Sequence, residues 1–187
     1  MVDGVEVIKL PSGIHEASSI KYWDREDIYI HGNRKVRING AGKGKTVIKG
    51  RFIVNGRKEE NALELFGLTL ADSNSHGVMI HGKGAVVKVR QCEIRGHKYN
   101  GVAVIEGGKG EIEESDIHGN GRYGVVIIEE GSKLSVRKCN LWDNKKGDEV
   151  EIDEGASTSD STMEGNLTGD EAKKAAERQQ PQQQPGR

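Results

Sequence analysis

The sequence predicts an all-β solenoid, and three observations carry the prediction. First, four successive stretches lie over one another without gaps. Leu65, Val89, Ile112 and Val136 form one column, and Leu68, Cys92, Ser115 and Cys139 form the next. Leu70, Ile94, Ile117 and Leu141 follow, then Ser73, His97, Asn120 and Asn144. Each column advances by 24, 23 and 24 residues, and a fixed period in this range means one structural unit stacked on copies of itself. Second, a glycine column keeps the same register at Gly84, Gly108, Gly131 and Gly155. Third, the return half of each repeat is β-branched: a Val-Ala-Val-Ile run follows Gly101 and a Val-Val-Ile-Ile run follows Gly124. Such runs between glycines are strands, so the repeat consists of strands and turns alone.

Ahead of the clean repeat, Val5–Leu10, Ile28–Ile30, Val36–Ile38, Val47–Ile48 and Phe52–Val54 are short β-type runs. Pro-Ser-Gly, His-Gly-Asn, the Gly-rich 40–44 segment and Asn55-Gly56 separate them, all turn chemistry. They read as earlier, less regular coils. The clean repeats fill 62–155, so one β-helix domain is expected over 1–155, with about six or seven short coils. From Ala156 the composition shifts to Ser, Thr, Asp, Glu and Gly, followed by a helix-prone piece at 170–178 and a Gln/Pro-rich end. With almost no large apolar residues, 156–187 is expected to be a disordered tail.

At 187 residues the chain is long enough for one domain with a core and too short to expect two. Lys+Arg 28 against Asp+Glu 29 removes any global electrostatic case for nucleic acid or an anionic membrane. Aromatics at 4% beside 26 glycines suit a turn-rich repeat better than a core built on Phe and Trp. Met1-Val2-Asp3-Gly4 has no basic region leading into an apolar stretch, and the longest apolar run, Val125–Ile128, cannot span a bilayer. The expectation is a soluble, cytoplasmic protein. Cys92 and Cys139 share a column two coils apart, about 9–10 Å by strand spacing, beyond the reach of a disulfide. They are expected to be buried and reduced.

Two folds compete for the period. Val89-x-x-Cys92-x-Ile94-x-x-His97, repeated as Ile112-x-x-Ser115-x-Ile117-x-x-Asn120, also matches a leucine-rich-repeat-like solenoid. That alternative returns by a helix or a 3₁₀ segment, whereas the return here is a strand. The chain resembles the pectin-lyase-like right-handed parallel β-helix family, with its short parallel β-helix repeats, over roughly residues 5–155. The stacked Asn120 and Asn144 resemble that family's asparagine ladder. The resemblance implies architecture more than chemistry, because the scaffold carries lyases, hydrolases, epimerases, adhesins and non-enzymatic binding domains.

Charge supplies a check on register. Arg90, Glu113 and Arg137 fall in one outward column and Glu64, Lys88 and Glu111 in another, alternating as solvated ladders should. Glu93 beside Asp116 breaks the rule.

The turn after the third column collects the most functional side chains. Stacking places Arg95, His118 and Trp142 in one column and Ser75, Tyr99, Arg122 and Lys146 in another, with His76, His97 and Tyr123 beside them. Aromatic faces suit sugar C–H surfaces, and the polar groups suit hydroxyls and carboxylates. Turns are polar by nature, however, and His97 and Asn120 could simply continue an internal hydrogen-bond ladder. On the return strand, Met79, Ala103, Ile105, Val126 and Ile128 are expected to point outward as an apolar interface, unless the N-terminal segment or the tail covers them. Glu149–Glu154 is expected to form a polar cap.

Other constellations carry less. Asn39-Gly-Ala-Gly-Lys-Gly-Lys-Thr46 imitates a phosphate loop but lacks its first glycine and leads into a strand. Glu106 and Glu129 could share a cation, though solvated carboxylates are the plainer reading. The histidines show no metal-ligand spacing, and no catalytic set or cofactor motif can be argued. The expected function is non-catalytic binding of a protein segment or glycan through one stacked face. The alternative is a lyase or epimerase acting on uronate polymers.

Overall fold

The computed structural model describes residues 4–17, 27–152 and 162–179. The chain winds through three strands per coil. The first coil is β1 (Val5–Lys9), β2 (Gly13–Glu16) and β3 (Asp27–Ile30); the second is β4 (Lys35–Asn39), β5 (Thr46–Lys49) and β6 (Arg51–Asn55). Then come β7 (Asn61–Phe66), β8 (Thr69–Ala71) and β9 (Val78–His81), followed by β10 (Ala85–Arg90), β11 (Glu93–Arg95) and β12 (Val102–Ile105). The next two coils are β13 (Lys109–Glu113), β14 (Asp116–His118), β15 (Tyr123–Ile127) and β16 (Lys133–Arg137), β17 (Asn140–Trp142), β18 (Gly147–Ile152). Last are β19 (Thr162–Glu164), β20 (Leu167–Thr168) and helix α1 (Gly169–Gln179).

Every strand pairs in parallel with its equivalent one coil away, building two seven-stranded sheets and one six-stranded sheet. We call them sheets A, B and C in the order the chain visits them. A return strand in each of the first six coils rules out the leucine-rich-repeat-like alternative. Inward columns stack like on like: Ile38, Leu65, Val89, Ile112 and Val136 in sheet A, and Ile48, Leu70, Ile94, Ile117 and Leu141 in sheet B. Phe52, Val78, Val102 and Val125 line the interior from sheet C. At the N-terminal end two inward positions turn polar, with Glu6 at the position of Val36 and His15 at that of Ile48, while Ile8 continues the Ile38 column. Glu6 is held by Arg34 at 2.9 Å, which closes the first coil with charge.

Sharp bends between the sheets set the cross-section. The bend from sheet A to sheet B places Gly67, Gln91, Glu114, Lys138 and Gly165 one above another, all in the left-handed region with φ between 50° and 62°. An L-residue pays about 1 kcal/mol there that glycine does not. Lys138→Gly, at an exposed position flanked by that conformation in each neighbouring coil, is expected to raise stability by about 1 kcal/mol, read from the urea midpoint. Unchanged or lowered stability would refute the strain argument.

The outward charge columns behave as ladders. Lys88 pairs with Glu111 at 3.3 Å, Arg90 with Glu113 at 3.4 Å, and Arg137 with Glu111 at 2.9 Å. Cys92 and Cys139 are buried free thiols, each pushed up to about 11, chiefly by burial.

Three expectations need correction. Residues 162–179 are not a disordered tail: β19 and β20 extend sheets A and B, and α1 packs on β17 through Ala172 and Ala176. The composition misled because two alanines are enough when a tryptophan supplies the rest of the contact. The outward return-strand residues do not make an exposed apolar face. Ala103 and Val126 are buried, at 1% and 5% exposure, and Met79, Ile105 and Ile128 are half-buried. Finally, β18 is the last strand of sheet C only, since the other two sheets continue past it. Asp153, Glu154 and Gly155 of the expected cap and glycine column, and residues 156–161 and 180–187 of the expected tail, lie outside the described residues.

Candidate functional site

The turn from sheet B to sheet C has an inner and an outer layer. The inner layer is a buried polar ladder. His97 N–H donates to Asn120 Oδ1 at 3.1 Å, Asn120 N–H to Asn144 Oδ1 at 3.2 Å, and Asn144 N–H to Asp148 Oδ1 at 2.8 Å. At the other end, Ser73 N–H donates to His97 Nδ1 at 3.2 Å. With Nδ1 accepting, the His97 proton sits on Nε2 and points to the Leu70 carbonyl at 3.2 Å. Each bond satisfies a turn amide that would otherwise be buried unpaired. His97 is therefore a strut beneath the edge and not part of a binding surface. Burial, with the nearby charges of His76 and Arg95, holds it at about 4 although the Leu70 carbonyl favours the proton.

The outer layer carries the side chains that reach solvent. Tyr99 N–H donates to the Ser75 carbonyl, Arg122 N–H to Tyr99, and Lys146 N–H to Arg122, each at 3.0 Å. This backbone chain stacks Ser75, Tyr99, Arg122 and Lys146 in one column. The Arg122 guanidinium lies 4.9 Å from the Tyr99 ring centre, and His76 meets the same ring at 5.6 Å, tilted by 53°. Asn100 uses its side-chain carbonyl to accept Tyr123 N–H at 3.0 Å, which seats that second tyrosine beside the column. Asn100 N–H donates to His76 Nδ1 at 3.4 Å. Burial, then the charges of Arg51 and Arg122, holds His76 at about 4, so it is neutral at pH 7.

The other predicted residues lie elsewhere. Arg95, His118 and Trp142 do form a column, but on the outer face of sheet B. His118 is stacked on Trp142 with ring centres 4.1 Å apart and planes 9° from parallel, and its Nε2 is 3.0 Å from Glu93. Arg95 is held between Glu93 at 3.5 Å and Asp72 at 3.8 Å. Trp142, 8% exposed, is covered by Ala172 and Ala176 of α1 and is not free for a ligand. The predicted set thus divides into an edge cluster of His76, Tyr99, Arg122 and Tyr123, a buried strut in His97, and a sheet B cluster.

The prediction missed Lys98 and Lys145. Both are exposed and occupy the position after a ladder residue, so the ladder register could have found them. It also missed Arg51, which comes from β6 in the preceding coil to bond Ser75 Oγ at 2.6 Å and Asp27 at 2.5 and 2.7 Å. Nothing local in the sequence marks that reach.

A second concave feature runs along sheet B, a groove of about 1450 Å³ between the Gly40–Lys45 loop and α1. The loop is a strap and not a phosphate cradle: Gly40 and Gly42 amides bond the carbonyls of Phe66 and Gly67, and Ala41 and Gly44 amides bond the hydroxyls of Thr46 and Thr69. The groove floor explains the Glu93–Asp116 neighbours. Lys43 reaches Asp116 at 2.8 Å, and Asn140 donates to the same carboxylate at 2.7 Å. Burial pushes the Glu93 carboxyl up, but hydrogen bonds from His118 and Thr69 and the charges of His118 and Arg95 outweigh it and hold it at about 2. Both carboxylates are spent on neighbours. At the bend from sheet C to sheet A, Glu106 does not wait for a cation either, since Arg57 Nε donates to it at 2.7 Å and His81 Nε2 lies 2.9 Å away. Among the described residues no three metal-ligating side chains converge, and no helix is long and apolar enough to cross a membrane.

No curated protein and no solved structure matches the chain significantly. The family model for the right-handed beta helix region matches residues 51–175, well over half the chain. Three parallel sheets, an inward ladder and a match of that extent agree, and the chain belongs to the right-handed β-helix family.

Proposed function

We propose that this protein is a non-catalytic binding module that holds an acidic glycan along the turn edge between sheets B and C. The observation that carries the reading is an uncompensated row of cations. Lys98, Arg122, Lys145 and Lys146 are exposed, the turn segments 73–76, 97–100, 120–123 and 144–147 contain no Asp or Glu, and none of the four cations makes an ion pair among the described residues. The Arg90–Glu113–Arg137 and Glu64–Lys88–Glu111 columns, by contrast, alternate in sign from coil to coil. Arg122 and Lys146 stand one coil apart in one column; like charges at that spacing of about 4.8 Å repel, and a ligand carrying carboxylates removes that cost. Tyr99 and Tyr123 add faces that pack on sugar C–H surfaces.

Turnover with His76 as the base is disfavoured by the occupancy of its ring nitrogens. Proton abstraction beside a uronate carboxylate needs a base with a free lone pair. The lone pair of His76 is taken by the Asn100 amide, and its other nitrogen carries the proton.

The test is titration with acidic and neutral polysaccharides, recording binding and new unsaturated ends together. Binding to polyuronates without unsaturated ends, weakening steeply with salt, is expected. Arg122→Ala should cost about tenfold in affinity, or about 1.4 kcal/mol, with the melting temperature unchanged. Unsaturated product would make the protein a lyase. Absence of polysaccharide binding would sink the glycan reading and leave a protein segment as the ligand.

A further inference from the structure

We propose that the two ends of the solenoid fit one another, so that copies of this chain stack head to tail through sheets A and B. Among the described residues no strand pairs with the outer edges of β1 and β2 at one end, or of β19 and β20 at the other. An unpaired strand edge is a template for a further strand. Exposed apolar side chains gather on the same four strands. Of the six large apolar residues that stand well exposed among the described residues, Val7, Ile14, Met163 and Leu167 lie there. Met163 continues the inward column of Val136 yet is 42% exposed, since no described coil lies beyond it.

The registers identify a second copy as the occupant. Adding its β1 to β19 in the register of the earlier coils sets Val7 beside Thr162, Ile8 beside Met163 and Lys9 beside Glu164. Arg90, Glu113, Arg137 and Glu164 alternate in sign down one column, and Lys9 of the next copy is the cation that follows. Lys9 and Glu164 are both exposed, and neither makes an ion pair among the described residues. In sheet B the same step adds β2 to β20, setting Ile14 beside Leu167 and His15 beside Thr168. Ile14 and Leu167, 64% and 38% exposed, become an apolar cross-strand pair. Glu6 falls beyond Thr162 and keeps its exposed pair with Arg34. Sheet C stops at β18 and takes no part.

An interface between unlike ends is heterologous, so it does not close at two copies and grows into an open chain. Two short strand pairs bury little surface, so the association is weak and depends on concentration. The test is sedimentation velocity of the full chain up to about 1 mM, where a contact of this size is populated. Wild type is expected to grow past two copies. Lys9→Glu or Glu164→Lys alone sets like charges opposite each other and should weaken association about tenfold. The double variant should recover it, and so should an equimolar mixture of the two single variants, because each then supplies the end that the other lacks. Ile14→Lys should weaken association as well, with the melting temperature at low concentration unchanged. A wild type that stays monomeric, growth that stops at dimers, or single variants that associate as wild type does would each overturn the proposal.

Discussion

Lowering the pH from 7 to 4 is expected to cost the folded solenoid about 3 kcal/mol through His97 alone. The sign follows from the ladder. In the unfolded chain His97 titrates near the usual 6.5, whereas burial in the solenoid holds it at about 4. Above pH 6.5 both states leave it neutral and the full stability is present. Between 6.5 and 4 the unfolded chain takes up a proton that the folded chain refuses, so stability falls as the pH falls. The refusal is geometric: a proton on Nδ1 would face the Ser73 amide proton that Nδ1 now accepts. His97→Asn should keep the ladder without the titration, because Asn144 Nδ2 reaches the Ile117 carbonyl in the same register that His97 Nε2 uses for Leu70. Urea unfolding of both proteins at pH 7 and pH 4 isolates the effect, since His76 and Glu93 titrate in each and cancel. Parallel pH slopes would show that the His97 ladder is not the cause.

Lys43→Met is expected to destabilise the fold by about 3 kcal/mol, although Lys43 sits on a glycine-rich surface loop. Glu93 and Asp116 are directly opposed on β11 and β14, a like-charge pairing that should be unfavourable. Glu93 is compensated by His118 and by Thr69, whose hydroxyl donates at 2.7 Å. Asp116, with its side chain only 10% exposed, has Lys43 as its cation. Removing Lys43 leaves a carboxylate without its countercharge in a poorly solvated place, beside a second carboxylate. Adding Asp116→Asn should restore most of the loss, because the Asn140 bond survives and the buried charge is gone. A four-member cycle of urea midpoints measures the coupling. If Lys43→Met changes stability by less than about 0.5 kcal/mol, the strap is ornamental and the pair is solvated.

Much of the architecture was legible because a stacked coil repeats its physics. An inward position must be apolar in every coil, so Leu65, Val89, Ile112 and Val136 announce a column. An outward position must alternate charge, so Arg90, Glu113 and Arg137 announce a ladder. The strands that escaped notice are those that break this agreement. In β2 the inward residue is His15, the outward one is Ile14 at 64% exposure, and the segment begins with a glycine, so it resembles a turn. Strands β19 and β20 put polar Thr162 and Thr168 beside Met163 and Leu167, and their register is visible only from the strands they join.

The candidate site was less legible for the same reason in reverse. A turn residue is polar whether it faces in or out, so His97, Tyr99 and His118 look alike in sequence and have three different surroundings. The sequence by itself determined the parallel coil, its register, the buried thiols and the charge ladders, since each follows from a repeating local rule of burial or charge. Only the tertiary structure decided which polar side chains are struts and which are free. Lys43 meets Asp116 across 73 residues and α1 closes over Trp142, and such contacts depend on the reach of single side chains, which no periodicity records.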